Sequence, residues 1–364
     1  MAFPIRGFSK RIDRFRTWRL KLAMARVLRL LRLVTRSTPS VEQIPADLPS
    51  YSATPKGKIA IIDNSYHAKT VSSSFFFELL RQQFALKIYW DAQWNGGKAI
   101  TKKEIQSGGY EMVILWQVFI YYTPLALRQF GCRKVVIVPM YDDAHAVPDK
   151  LFKRYACFPF ISFSDHFHYR FLKLGIRSEY FRFYPDPISF PPRKSDFSAL
   201  RGFFWQRNND ITWEQIRQLV EETDFASFHI HLSVDPLWYH EILPSPEEIK
   251  KYHITISRWF DHREQYLEIL SASNVFFVPR LYEGIGMPFL EALSMGMVVV
   301  SPDHPVMNEY IVNGKTGLLY DPSVPRKLDF SEAATIGENG RQACLAGHRA
   351  WKSSGDALLS WLNS

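Results

Sequence analysis

The sequence predicts an α/β protein that contains two doubly wound parallel sheets. Two short apolar runs, 112–116 and 275–278, are typical of strands that are buried on both faces of a parallel sheet. Segments with helical patterning alternate with such runs, and this alternation favours sheets that are covered by helices. The proline-rich stretch 184–192 divides the alternation into two halves. With 364 residues, the chain has room for two domains with cores of their own.

The first half predicts five strands and three helices. The strands are Lys58–Asp63, Leu86–Trp90, Met112–Trp116, Val135–Pro139 and Ile161–Ser164. The helices are Phe75–Gln83, Pro124–Phe130 and Phe167–Leu174, the last of which stops at Gly175.

The second half predicts a similar series that ends near residue 322. The strands are Gly202–Trp205, Ser227–Leu232, Ile254–Ile256, Val275–Val278, Val298–Val300 and Gly317–Tyr320. The helices are Trp213–Glu222, Glu264–Ala272, Met287–Met295 and Val306–Val312. The predicted division of the chain is a basic segment at 1–40, a linker at 41–56, domains at 57–187 and 195–322, and tail helices at 323–364.

Composition is that of a soluble globular protein, with 46% hydrophobic and 22% charged residues. The three cysteines, Cys132, Cys157 and Cys344, are scattered and form no C-x-x-C pair. This spacing argues against a disulfide framework or a zinc knuckle and fits a reducing compartment.

The positive charge is concentrated in residues 1–40. They hold 11 of the 45 Lys and Arg and one of the 36 acids, a net charge of +10, so the remainder carries 34 basic and 35 acidic residues, a net of −1. On a helical projection Leu20, Val27 and Leu31 share one face, and most of the arginines lie on the other. We therefore predict a basic amphipathic helix that binds an anionic membrane surface. The protein would then be cytoplasmic and peripheral at the inner face of the membrane.

Three other interpretations of this segment stay open. An organellar transit peptide is also rich in arginine and poor in acids. A nucleic-acid arm has the right charge, but no basic and aromatic pattern continues into the body, so no nucleic-acid partner is expected. A solvated helix packed on the body is the third. No run of 18 apolar residues exists in the sequence, so no spanning segment is expected.

The stretch 275–322 contains the motif on which the functional prediction depends. A predicted strand is followed by the turn Glu283-Gly284-Ile285-Gly286 and by a helix whose first turn contains Pro288. Glycines in such a turn let backbone N–H groups and a helix N-terminus face a phosphate. Glu283 and Glu291, with seven residues between them, bracket that anion site. A nucleotide-sugar suits this arrangement, because its diphosphate lies between two rings whose hydroxyls hydrogen-bond to carboxylates.

This stretch resembles the donor site of family-4-type glycosyltransferases with the GT-B fold. The residues that carry the resemblance form the pattern P-x3-E-G-x-G-x-P-x2-E-A-x3-G, followed by Asn308-Glu309 and Asn313-Gly314-x2-Gly317-Leu318. The resemblance implies two Rossmann-like domains that face each other across a cleft. It also implies retaining transfer of a sugar to a glycan or lipid-linked acceptor, in polysaccharide or glycoconjugate synthesis. The nucleotide-sugar is then a substrate, and no cofactor or metal is expected.

The same resemblance assigns roles within the turn. Glu283 would act on the donor sugar as a catalytic residue, and Glu291 would bind the ribose. The turn and the start of the helix would bind the diphosphate through Gly284, Ile285, Gly286 and Met287.

Two arginines complete the predicted donor site. Arg207 is similar in position to the arginine of the family's G-R-x(n)-K-G motif, whereas the lysine of that motif is missing from 208–212. Arg280, three residues before Glu283, is the candidate that supplies the absent charge to the leaving diphosphate. For Arg280, a solvent-facing side chain is the alternative.

The predicted acceptor side lies in the first domain. His145 is the candidate that meets the donor sugar, because the family often has a histidine near this place; a loop histidine bonded to local backbone is the alternative. The neighbouring acids and the first loop of the domain supply the other candidates, which are Asp63, His67, Lys69, Asp142 and Asp143. The pairs His229-x-His231 and His166-x-His168 have a spacing that a metal tolerates, but packing explains them without one.

Two alternatives to a transferase remain. One is another enzyme on the same fold, either a sugar-nucleotide epimerase or a phosphorylase. The other is a GT-B scaffold that binds a sugar-nucleotide or a partner without catalysis, which the missing lysine suggests. Measuring donor hydrolysis or transfer distinguishes them, because a binding scaffold gives neither.

Overall fold

The computed structural model describes residues 44–234, 240–260 and 262–364. The predicted amphipathic helix at 1–40 therefore lies outside the described residues. The described chain divides into two compact units. The first contains the residues up to Phe181 together with Gly355–Ser364, and the second contains Arg182–Ser354.

The first unit is built on a sheet of seven strands in the order β1-β3-β2-β4-β5-β6-β7. Only β1 is antiparallel to its neighbour. The strands are β1 Asp47–Leu48, β2 Lys58–Asn64, β3 Ala85–Asp91, β4 Met112–Trp116, β5 Lys134–Val138, β6 Phe160–Ser162 and β7 Ser178–Tyr180. The central strand β4 is buried along its whole length, as its unbroken apolar sequence predicts.

Helices connect these strands. The α-helices are His67–Thr70, Ser74–Arg81, Lys102–Gln106, Pro124–Arg128, Tyr141–Ala144, Asp149–Lys153 and Asp165–Lys173, and two 3₁₀ turns span Gln93–Asn95 and Val118–Tyr121. Several begin at the residue types that cap helices. Thr101 and Glu104 form a capping box, and the Ser164 hydroxyl accepts a hydrogen bond from the backbone N–H of Phe167.

The segment predicted as a linker, 41–56, is partly ordered into the first unit. Asp47 and Leu48 form β1, which pairs with β3 at the edge of the sheet. The Tyr51 ring lies under the guanidinium of Arg81, 4.1 Å from its centroid. The prolines around this strand made it look like a connection, yet an edge strand tolerates proline because one side of it needs no partner.

The second unit contains a parallel sheet of six strands in the order β10-β9-β8-β11-β12-β13. The strands are β8 Leu200–Gln206, β9 Phe225–Leu232, β10 Ile254–Ser257, β11 Val275–Phe277, β12 Val298–Pro302 and β13 Leu318–Tyr320. The helices are Trp213–Leu219, Pro246–Lys251, Arg263–Ser271, Met287–Ser294 and Met307–Tyr310, with a 3₁₀ turn at Pro187–Ser189. A core of aromatic and branched residues fills the space between the sheet and its helices.

One long helix, Ala333–Asn363, ends the chain, where several tail helices were predicted. In the second unit its glycines allow close packing: a Cβ at Gly347 would lie 2.4 Å from the ring of Tyr184. In the first unit Lys134 Nζ donates to the carbonyl oxygens of Trp361 and Leu362, at 2.9 and 3.2 Å. These bonds occupy carbonyls that the last turn of a helix leaves without intrahelical partners. None of the helices in the described ranges is long and apolar enough to cross a membrane.

Candidate functional site

The strand order of the second unit determines where a ligand can bind. The chain builds β8, β9 and β10 outward in one direction and then returns to place β11 on the other side of β8. Parallel sheets bind ligands beyond the carboxyl ends of the two strands at such a reversal. Here β8 is followed by Arg207, and β11 is followed by Arg280 and the turn that begins at Glu283. The sheet topology therefore brings together the ends that carry the predicted donor residues.

The turn after β11 has the backbone form that the glycines predict. Gly286 has φ 82° and directly precedes the helix Met287–Ser294, which has proline in its first turn. A Cβ at Gly286 would lie 2.0 Å from Cε1 of Phe289, so glycine is required for space as well as for conformation. Ile285 is buried and Met287 is half-buried. The turn thus presents a helix N-terminus beyond the strand ends, where backbone N–H groups and the helix dipole favour an anion.

The two glutamates of the motif are both buried, with 5% of Glu283 and 7% of Glu291 exposed. Glu283 lies in the turn itself, next to the buried Gly284. Glu291 lies on the helix that follows, where its Oε1 accepts a hydrogen bond from Arg263 Nη2 at 2.6 Å. Burial raises the pKa of Glu291, while the charge and the hydrogen bond of Arg263 oppose that rise.

Arg263 and Tyr266 lie at Glu291, and neither was among the candidates that the sequence indicated. Both belong to the helix Arg263–Ser271, and both reach Glu291. Burial raises the pKa of the Tyr266 hydroxyl well above its ordinary value, and the charge of Glu291 adds to this rise. Their spacing of three residues on a helix was a possible signal, because such residues lie on one face.

Arg207 and Arg280 are both half-buried at the strand ends. The Arg207 guanidinium lies over the ring of Trp205, 4.9 Å from its centroid. In the loop that lacks the motif lysine, Asn208 Nδ2 donates to Asp210 Oδ2 at 2.8 Å. This local pairing shows how the loop is ordered without a cation.

His229 and His231, which share a face of β9, are held by neighbouring hydroxyls. His229 contacts Thr255 Oγ1 at 2.8 Å and Ser257 Oγ at 2.7 Å, and His231 Nδ1 lies 2.8 Å from the same Ser257 oxygen. Burial lowers the pKa of each imidazole to about 4, so both rings are neutral near pH 7. The His231 ring also stacks on Phe260 at a centroid distance of 5.0 Å. Within the described ranges no group of three or more His, Cys, Asp or Glu residues has the arrangement of a metal site.

In the first unit, Asp63 and His67 form a pair at the end of β2. Asp63 is fully buried, and its Oδ1 lies 2.7 Å from His67 Nδ1. Its Oδ2 accepts a hydrogen bond from the Ser73 hydroxyl at 2.6 Å. Burial alone would lower the pKa of His67, but the charge and hydrogen bond of Asp63 outweigh it, and with Asp142 and Asp143 they raise that pKa. The structure thus brings four of the predicted acceptor-side residues together.

The remaining first-unit candidates are Lys69, two residues after His67, and His145, two residues after Asp143. Lys69 belongs to the short helix His67–Thr70 and is half-buried. His145 follows the helix Tyr141–Ala144, and its Nδ1 lies 3.2 and 3.1 Å from the carbonyl oxygens of Tyr141 and Asp142. His145 therefore makes the local backbone contacts that the alternative interpretation described, whereas His67 is the histidine that a carboxylate orients.

Two aromatic residues beside this pair were also missed. Trp94 Nε1 donates to Ser65 Oγ at 2.8 Å, and the Trp94 and Tyr66 rings meet edge to face at 5.9 Å. Both rings are half-buried, and like His67 they follow the carboxyl ends of parallel strands. The pairing depends on the 3₁₀ turn Gln93–Asn95, which sequence patterning does not reveal.

Comparison with known proteins identifies the same stretch of the chain. Residues 247–333 match the family model described as Glycosyl transferases group 1. The matched residues all lie in the second unit. The segment includes the glycine turn, both glutamates and Arg263, and it confirms the resemblance that the motif predicted.

One curated relative and several solved structures extend the comparison. The chain is 44% identical over 93 residues to alpha-maltose-1-phosphate synthase of Mycolicibacterium smegmatis, a match that spans 21% of this chain and 24% of that relative. The match therefore covers about a quarter of the relative's length.

Among solved structures, sucrose-phosphate synthase from Thermosynechococcus elongatus has a TM-score of 0.59 at 14% identity, over 84% of this chain and 99% of the other. HepE of Anabaena, in complex with UDP and glucose, has a TM-score of 0.57 at 13% identity, over 84% and 100%. At these identities the likeness concerns the fold, and with the two parallel-sheet units it confirms the predicted GT-B class.

Proposed function

We propose that this protein transfers a sugar from a nucleotide-sugar donor to a hydroxyl of a glycan or lipid-linked acceptor. The observation that carries the proposal is the pair of buried glutamates, Glu283 and Glu291, on either side of a glycine turn that opens a helix. The helix N-terminus suits the diphosphate, and each carboxylate suits the hydroxyls of one ring. The bound UDP and glucose of HepE, a protein of similar fold, support a donor of this kind.

The proposed reaction breaks the bond between the anomeric carbon and the diphosphate oxygen and forms a bond from that carbon to the acceptor oxygen. The diphosphate leaves with the electron pair and takes the proton of the acceptor hydroxyl, so charge and atoms balance. Arg207 and Arg280 lie where they can offset the negative charge that gathers on the leaving group. By resemblance to the family we propose that the anomeric configuration is retained and that no divalent metal takes part.

The acceptor is proposed to bind at the strand ends of the first unit. There Asp63 orients His67, and Asp142 and Asp143 add negative charge beside it. These carboxylates disfavour an anionic group, whereas sugar hydroxyls can both donate to them and accept from His67. We further propose that residues 1–40 hold the protein at the inner face of an anionic membrane, close to a lipid-linked acceptor.

A panel of nucleotide-sugars tests the donor site. We expect one nucleotide class to stabilise the purified full-length chain against thermal unfolding, by roughly 2.7 kcal/mol at 100 times its dissociation constant. Glu291→Gln should weaken this binding, because an amide is a poorer hydrogen-bond acceptor than a carboxylate. Glu283→Gln should act mainly on turnover, through the donor sugar.

Glu268→Gln is the matched control, because Glu268 lies on an exposed surface of the same unit and pairs with Lys194. If no nucleotide-sugar binds, or if both motif variants behave like the control, the assignment of the donor site is wrong.

A scaffold that binds a donor without catalysis is the second candidate. The loop 208–212 favours it, because the family's lysine is absent there and Asn208 and Asp210 form hydrogen bonds with each other. The two candidates differ in turnover. A transferase releases the nucleoside diphosphate by slow hydrolysis or by transfer, whereas a scaffold is stabilised by the same donor and releases none. Conversion of the donor into an isomeric nucleotide-sugar would instead identify an epimerase.

A further inference from the structure

Arg263 occupies a position that helix electrostatics do not favour. It is the first residue of the helix Arg263–Ser271, where the positive end of the helix dipole repels a cation. Its side chain is 55% exposed, yet its guanidinium lies 2.6 Å from the buried carboxylate of Glu291. The same guanidinium lies 5.7 Å from the ring centroid of Phe190. These two contacts offset the unfavourable position and fix the direction of the side chain.

The helix that carries Arg263 reaches Glu291 at two points. Tyr266, one turn further along, has a buried hydroxyl beside the same carboxylate. Arg263 Nη2 donates to the Oε1 atom of Glu291. The carboxylate keeps capacity for a ligand hydroxyl beside Arg263 and Tyr266, since each oxygen of an ionised carboxyl group accepts more than one hydrogen bond.

We propose that Arg263 is a positioning residue of the donor site, which holds Glu291 as an oriented carboxylate for the ribose hydroxyls of a nucleoside diphosphate. This inference rests on the proposed function, because it concerns the same nucleotide. Arg263 acts through Glu291, which lies on the following helix, Met287–Ser294.

Removing the guanidinium should change the protonation of Glu291. Burial raises the pKa of this carboxyl, and Arg263 and Tyr266 are the groups that oppose the rise. Arg207 acts in the same cluster through its effect on Tyr266. Without Arg263 the pKa of Glu291 rises further, so the carboxyl takes up a proton at a higher pH. A protonated carboxyl is a weaker acceptor for a ribose diol, so nucleotide affinity should fall as the pH falls and return as it rises.

The test measures binding of UDP, ADP and GDP to the full-length chain by titration calorimetry between about pH 5.5 and about pH 8.5, a range that begins above the ordinary pKa of a glutamate, about 4.3. The nucleotide that binds best is then compared with its 2′-deoxy form. The variants are Arg263→Ala and Arg263→Lys, and the second keeps the charge without the planar fork. Arg217→Ala is the matched control, since Arg217 pairs with Glu214 on another helix of the same unit at 2.7 Å.

We expect Arg263→Ala to weaken ribonucleotide binding about tenfold to a hundredfold at acidic pH, the range for loss of a hydrogen bond to a charged group. The loss should shrink at alkaline pH, and discrimination against the 2′-deoxy form should fall. Arg263→Lys should restore the wild-type pH profile, and Arg217→Ala should match wild type.

Two results would overturn the inference alone. One is an Arg263→Ala chain with wild-type affinity and pH profile. The other is a loss of affinity that is equal at every pH with 2′-deoxy discrimination intact, which would mean that Arg263 contacts the phosphates directly. A wild-type chain that binds none of the three nucleotides would overturn the proposed function and, with it, this inference.

Discussion

Replacing Gly286 by alanine should destabilise the second unit for two separate reasons. The residue has φ 82°, a left-handed conformation that costs an L-residue with a side chain about 1–2 kcal/mol. The added methyl would also lie 2.0 Å from Cε1 and 2.4 Å from Cδ1 of Phe289. Phe289 is 1% exposed, so overpacking should add about 1–3 kcal/mol. Together the two effects predict a loss of about 2–5 kcal/mol in the free energy of unfolding.

Gly314→Ala separates the two contributions. Gly314 has φ 70°, and no heavy atom lies within 4 Å of the position its Cβ would take. Its replacement should therefore cost only the conformational part, about 1–2 kcal/mol. The assay is urea unfolding of the full-length chain, followed by tryptophan fluorescence, together with nucleotide titration of each variant under native conditions. Gly286→Ala should also weaken nucleotide binding, because a shift of the turn moves the N–H groups of the helix N-terminus.

A double-mutant cycle tests the cause directly. Phe289→Leu removes ring atoms that the new methyl would meet, so in its presence Gly286→Ala should cost about 1–3 kcal/mol less. The reasoning is refuted if Gly286→Ala and Gly314→Ala destabilise the chain equally, or if the cycle shows no coupling between residues 286 and 289.

Three further predictions concern charge. If the arginines at the strand ends stabilise the leaving diphosphate, Arg280→Ala and Arg207→Ala should each lower turnover by a factor of about a hundred. An Arg280→Ala variant with an unchanged single-turnover rate would leave Arg207 and the backbone amides as the phosphate site. The pKa of His67 is raised in the folded chain, so the stability it adds should be complete below about pH 6.5 and disappear as the pH rises through the folded value. Urea unfolding of wild type and His67→Gln across that range checks this, and a constant difference between them would contradict it. Binding of the full-length chain to vesicles should increase with anionic lipid and decrease with salt. Deletion of residues 1–40 should abolish vesicle binding while donor binding remains. Equal binding to neutral and anionic vesicles would count against the electrostatic contribution to membrane binding.

The donor turn was predictable because all its determinants are close together in the chain. Gly286, Pro288 and Gly296 are the residue types that a left-handed turn, a helix start and a helix stop require, and the helix Met287–Ser294 lies between them. The buried strands on either side were equally clear, since an uninterrupted apolar run leaves few other interpretations.

Contacts between distant segments were not predictable in the same way. Arg263 is 28 residues from Glu291, and no local pattern indicates that a helix start will meet a buried acid of a later helix. Residues 47–48 were assigned to a linker because prolines surround them, although pairing with β3 makes them a strand. The pair Asp63 and His67 was found as two candidates, but the bond from Ser73 that completes it depends on how the following loop folds.

The two glutamates of the donor motif are held by different means, and this difference allows binding and turnover to be perturbed separately. Glu291 lies on a regular helix, and its carboxylate accepts a hydrogen bond from Arg263 of another helix. Glu283 lies before that helix, in a turn whose path depends on the backbone of Gly286. A change at Arg263 should therefore alter nucleotide affinity and leave the turn intact. A change at Gly286 should displace the amides and Glu283 together, so it should lower affinity, turnover and stability at once. Because only the first defect should be restored by raising the pH, one pH series on the two variants shows whether the acids act independently.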